Sequence, residues 1–175
     1  LGTGHGRSEM TSVVFGGIAM LMAILQTTWF AGWTIAGARP DLALIVITVA
    51  AHSVGVQRGQ VTGFAVGMVE DVLSLSPLGF HAVVRLAHGA VAGLSSGAVQ
   101  ADPILTPMLL VGLSTVVKQI VAFLFATILG VNELITGVFT ATTAIELGLN
   151  VVLAPIGFLL LRPVVRRLSR RGGFS

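Results

Sequence analysis

Residues 55–79 read "GVQRGQVTGFAVGMVEDVLSLSPLG", with glycine at 55, 59, 63 and 67 and then two adjacent acids, Glu70 and Asp71, inside an otherwise apolar run. Between helices in lipid there is little hydrophobic drive, so association depends on close backbone approach, which residues without bulk permit. Gly55, Gly59, Gly63 and Gly67 make one small-residue ridge, and Gly89, Gly93 and Gly97 repeat the spacing in the next apolar segment. Pro77, Leu78 and Gly79 mark a turn between the segments, tight enough to force an antiparallel hairpin. The two ridges are therefore read as seating helices inside one chain, in preference to a homodimer contact.

Composition places this hairpin in a membrane. Of 175 residues, 54% are hydrophobic and 10% charged, against about 25% charged in a soluble domain, and mean hydropathy is +0.96. Apolar runs at about 13–35, 41–56, 60–75, 79–98, 107–129 and 137–161 predict an all-α bundle of six transmembrane helices. "GARPD", "QADPILTP" and the polar "GVNELITG" fall between runs. Residues 1–11, Gly-rich and polar, read as a disordered end, 12–162 as one membrane domain and 163–175 as a basic tail. Cysteine is absent, which removes a disulfide framework, a thiolate metal site and a thiol nucleophile.

The basic residues are placed as a topology signal rather than a nucleic-acid surface. Five of the ten lie in the tail, at Arg162, Arg166, Arg167, Arg170 and Arg171, and with Arg7 and Arg58 they fall on one side of the bundle. The positive-inside rule then puts both termini in the cytoplasm, with Arg39 the one dissenter, and lets the tail touch anionic membrane lipids.

Charges inside the runs need partners. Counting outward from the Pro77–Leu78 turn sets Asp71 and Arg85 at one depth and predicts an ion pair between them; the same count about Val131 and Asn132 sets Lys118 level with Glu146. Gln119 and Asn150 lie near the second pair. His81, Arg85 and His88 follow i, i+4, i+7 spacing and share a face that can look toward Glu70 or Asp71. Both pairs are read as fixing helix register, with a proton relay or substrate site as the functional alternative.

Two further patterns are set aside. "GLSSG" at 93–97 matches the hydrolase elbow around Ser95, with His81 or His88 as its base, but the elbow needs a strand and a strained turn, and this match lies in a helical run. His52, His81 and His88 lack a paired carboxylate motif, so no metal site is assigned.

"RPDLALIVI" at 39–47, "GQVTGFAVGMVEDVLSLSPLG" at 59–79 and "APIGFLLLRPVVRR" at 154–167 resemble the bacterial rod shape-determining protein MreD family, most specifically over residues 39–79. Pro40, Asp41, Gly63, Gly67, Asp71, Leu78 and Gly79 match its motif; Glu70 and the His81, Arg85, His88 face lie outside it. The resemblance implies a multi-pass inner-membrane component of the cell-wall elongation machinery, with no reaction or cofactor of its own. Its implied partners are MreC, MreB, RodA and a class B penicillin-binding protein. It also implies a fold similar to the S components of energy-coupling-factor vitamin transporters, which supplies the second reading, a substrate-binding transport subunit. Ala19 and Ala23 resemble the coupling-module contact of those proteins.

Overall fold

The computed structural model describes residues 3–28, 32, 34–97 and 102–171, with the backbone alone at 3–12, 27 and 168–171. Residues 1 and 2 of the expected disordered end, Ala98 at the end of the fourth run, and residues 172–175 of the tail lie outside the described residues. The described chain forms seven helices: α1 (Thr3–Thr28), α2 (Leu42–Val54), α3 (Val56–Leu73), α4 (Phe80–Leu94), α5 (Leu105–Leu129), α6 (Asn132–Val138) and α7 (Ala141–Arg171). Two of them, over Leu105–Leu129 and Ala141–Arg167, are long and apolar enough to cross a membrane.

Helix α2 is the axis of the bundle. It touches α1, α3, α4, α5 and α7, and its residues Ala43, Leu44, Ile45, Val46, Ile47, Thr48, Val49, Ala50 and Ala51 are buried without a break. A helix apolar on every side belongs in a core. Its 13 residues span roughly 20 Å, short for a bilayer of roughly 30 Å, because protein rather than lipid surrounds it. Phe15, Ala19 and Ala23 of α1 and Ala154 and Phe158 of α7 pack on it in one apolar cluster.

The remaining elements follow from local chemistry. Asp41 caps α2, and Gly55, at φ 88°, breaks it from α3 with a single residue. Gly79, at φ 93°, turns the chain into α4. Asp102 accepts from the backbone N–H groups of Ile104 and Leu105 and so opens α5; the donors Leu105 and Ile104 hold its carboxyl below the usual carboxylate range. Gly130 ends α5 in the left-handed region.

Several boundaries differ from the sequence reading. Helix α1 spans Thr3–Thr28 among the described residues. Ile35 and Ala38 then exchange two backbone hydrogen bonds across Ala36 and Gly37, both at positive φ, as a tight hairpin turn requires. "GVNELITG" contains α6 rather than a plain loop. Helix α7 runs on through the arginines to Arg171 although Pro155 and Pro163 lie inside it, each removing one backbone bond and crowding the carbonyl four residues back.

Candidate functional site

The seam between α3 and α4 is made of backbone. A methyl group added at Gly59 would lie 2.4 Å from the Gly89 carbonyl oxygen, at Gly63 2.1 Å from that of Arg85, and at Gly67 2.4 Å from that of His81. From the other side, Gly89 would meet the Gly59 oxygen at 2.1 Å and Gly93 the Val56 Cα at 2.5 Å. Gly55 and Gly97, at φ 88° and 82°, belong to chain turns instead, and no added atom there would meet backbone within 3.4 Å.

Close packing brings the acids of α3 against the first turns of α4. Asp71, buried, accepts the N–H groups of Gly79 (2.9 Å), His81 (2.8 Å) and Ala82 (3.2 Å) and lies 3.0 Å from His81 Nδ1. Gly79 has no side chain with which to cap α4, so Asp71 does so from the neighbouring helix, where the N–H groups and the helix dipole favour an anion. The expected Asp71–Arg85 pair is therefore corrected. Asp71 is engaged at the helix end, and Arg85, a turn further in, takes Glu70, with Nε and Nη2 on its two carboxylate oxygens at 2.9 and 2.6 Å.

Arg85 also pairs with Asp41. Nη2 donates to Oδ1 at 2.9 Å, and Nη1 stands 2.9 Å from Oδ2. Asp41 Oδ1 also accepts from Leu44 N–H, and Oδ2 receives Lys118 Nζ at 3.0 Å. Lys118 in turn contacts Glu146, whose second oxygen accepts from Gln119 at 3.4 Å. Glu70, Arg85, Asp41, Lys118 and Glu146 thus alternate in sign across α3, α4, the α2 cap, α5 and α7. Bidentate guanidinium–carboxylate pairs are the strong form of such contacts, and each cation lies between two anions.

Polar neighbours hold this chain in place. Asp41 N–H donates to Asn150 Oδ1 at 2.7 Å, and Asn150 Nδ2 donates to Thr115 Oγ1 at 3.2 Å. Gln26 bonds the Pro40 carbonyl and accepts from Ala43 N–H at 3.2 Å. One cavity of about 370 Å³ lies on the Pro40 side of the charges and another of about 410 Å³ on the Phe80 side, and Glu70, Arg85 and Glu146 line both.

The histidines are separated. His81 is on Asp71, and His88, fully buried, bonds Thr48 Oγ1 at 2.9 Å. Thr48 already donates to the Leu44 carbonyl, so His88 Nε2 is the donor. Ser95 donates to the Ala92 carbonyl at 2.6 Å and accepts from His52 Nδ1, so neither His81 nor His88 serves it as a base. No cluster of metal-ligating side chains occurs among the described residues. Sequence reasoning missed Asp41 as the hub, although its place just before an apolar run marked it as a helix cap, and it missed the Thr48–His88 bond, for which the sequence carries no signal.

Compared with known proteins, the chain matches the family model described as rod shape-determining protein MreD over residues 8–164. No curated protein and no solved structure matches it.

Proposed function

The chain belongs to the rod shape-determining protein MreD family, and from that membership we propose a six-span, non-enzymatic scaffold of the bacterial inner membrane that binds MreC and helps position the peptidoglycan synthases. Membership itself makes it a rod shape-determining membrane protein. In the proposed topology α1, α2, α3, α4, α5 and α7 cross, α6 lies at the outer surface, and both termini are cytoplasmic. MreB, RodA and a class B penicillin-binding protein are the further partners, reached directly or through MreC.

The observation that carries the scaffold reading is the use made of the charges inside the bundle. All five are engaged with one another across five elements of the bundle, which suits a part that holds its shape while its outside does the binding. Outside, Val61, Phe64, Met68 and Val72 of α3 form an exposed apolar stripe at helical spacing. The transporter reading loses its motif: Ala19 and Ala23 are 0% and 1% exposed, inside the apolar cluster with α2, where no coupling subunit reaches them.

A mild-detergent pull-down from native membranes at native expression tests the proposal. MreC with the wall synthases is the expected catch; an ATPase with a coupling subunit would make the chain a transport component instead. Cells deleted for the gene should lose rod shape and MreC positioning together.

A further inference from the structure

A third cavity, of about 330 Å³, lies at the other end of the bundle, between the end of α2, the start of α5 and the last third of α7. Its floor is apolar and buried, formed by Val49, Pro107 and Phe158, and its rim carries Arg162 and Arg166. The two arginines are four apart on one helix, a spacing at which like charges repel. Neither makes a hydrogen bond or ion pair with another of the described residues. No acid among the described residues lines the cavity. Asp102, adjacent to the lining residue Pro103, is committed to the backbone of α5.

These features fit one class of ligand. A pair of guanidinium groups unmatched by any carboxylate of the described residues suits a phosphate, which it holds in a planar fork. The apolar floor excludes a freely hydrated anion as the sole occupant and suits hydrocarbon. The cavity also lies where the apolar run of α7 gives way to arginines, the level at which basic pockets between membrane helices meet headgroups. We propose that Arg162 and Arg166 bind the phosphodiester of an anionic phospholipid whose proximal acyl carbons rest on Val49, Pro107 and Phe158. The inference requires the membrane location of the family and nothing about MreC.

The test is lipid retention by the full chain. Protein purified in mild detergent is equilibrated with phosphatidylglycerol or phosphatidylcholine, and retained lipid is counted by native mass spectrometry. Wild type should retain phosphatidylglycerol selectively, and Arg162→Gln and Arg166→Gln should each weaken retention about fivefold. Arg167→Gln, which makes the same charge change beside the cavity, should leave retention near wild type. Equal losses from Arg166→Gln and Arg167→Gln would reduce the effect to diffuse attraction by the tail and overturn the site. So would equal retention of the two lipids by wild type, a result independent of how the variants fold. Displacement of the lipid by millimolar inorganic phosphate or by an acidic peptide would also overturn it, in favour of that occupant.

Discussion

Along the α3–α4 seam the two helices touch backbone to backbone, through residues chosen for having no side chain. At the charge chain the helices are joined instead through long side chains, those of Glu70, Arg85, Asp41, Lys118 and Glu146. The seam is intolerant of volume and indifferent to charge. The charge chain has room on both sides, with cavities of about 370 and 410 Å³, but a lost or reversed charge leaves its neighbours unmatched. One region fixes distance, and the other fixes which helices meet and in what rotation.

The largest effect is expected at Arg85, which both regions share: its backbone oxygen faces Gly63 and its side chain joins Glu70 to Asp41. Arg85→Gln should cost about 3–5 kcal/mol, because it leaves Glu70 buried without its cation. Adding Glu70→Gln should recover part of that loss, since both Glu70 oxygens are on Arg85. Thermal or denaturant unfolding in detergent across this double-mutant cycle gives the coupling. A cycle in which Asp71 and Arg85 couple more strongly than Glu70 and Arg85 would contradict the observed pairing.

Next comes the seam. Gly63→Ala adds one methyl at 2.1 Å from a carbonyl that cannot move without its helix, and should destabilise by about 1–3 kcal/mol. Gly148→Ala is the same chemical change on α7, where nothing lies within 4 Å, and should be neutral or stabilise by up to about 1 kcal/mol. Similar unfolding shifts for the two variants would mean that the seam is not closed as tightly as described.

Asp71 tests the border between the regions. Asp71→Ala removes the acceptor of three α4 N–H groups and should cost about 1–2 kcal/mol, the range for losing a helix cap. Hydrogen exchange should quicken first at Gly79, His81 and Ala82. Exchange that quickened instead around Glu70 and Asp41 would show that Asp71 supports the charge chain rather than the helix end.

What was legible in the sequence follows the same division. Backbone contact demands glycine at one-turn spacing, and that demand is written in the residue types; Gly59, Gly63, Gly67, Gly89 and Gly93 could be read as packing residues for this reason. Gly55 and Gly97 fit the spacing but serve turns, because a glycine at the end of a ridge is also where the chain most easily leaves a helix. Depth counted about a loop compares only the two helices that flank it. It levels Lys118 with Glu146 across α6, but it has nothing to say of Asp41, which meets a residue 44 positions on and another 77 positions on. The count also treated Asp71 as free to point inward, whereas the open end of α4 one turn away claimed it.

The smallest effect is expected at the far end of the charge chain. It holds three carboxylates and two cations, so neutralising one terminal carboxylate leaves a balanced set. Glu146 is the terminus better suited to that loss: its side chain is 19% exposed against 11% for Glu70, and one of its oxygens faces the neutral Gln119 rather than a cation. After Glu146→Gln, Lys118 keeps Asp41, Asp41 keeps Arg85, and no charge is left without an opposite. The cost should stay well below that of Arg85→Gln in the same unfolding assay, because no charge inside the bundle is left unpaired. If the two costs proved equal, the five charges would act as one cooperative unit, and the contrast between a rigid seam and a divisible charge chain would fail.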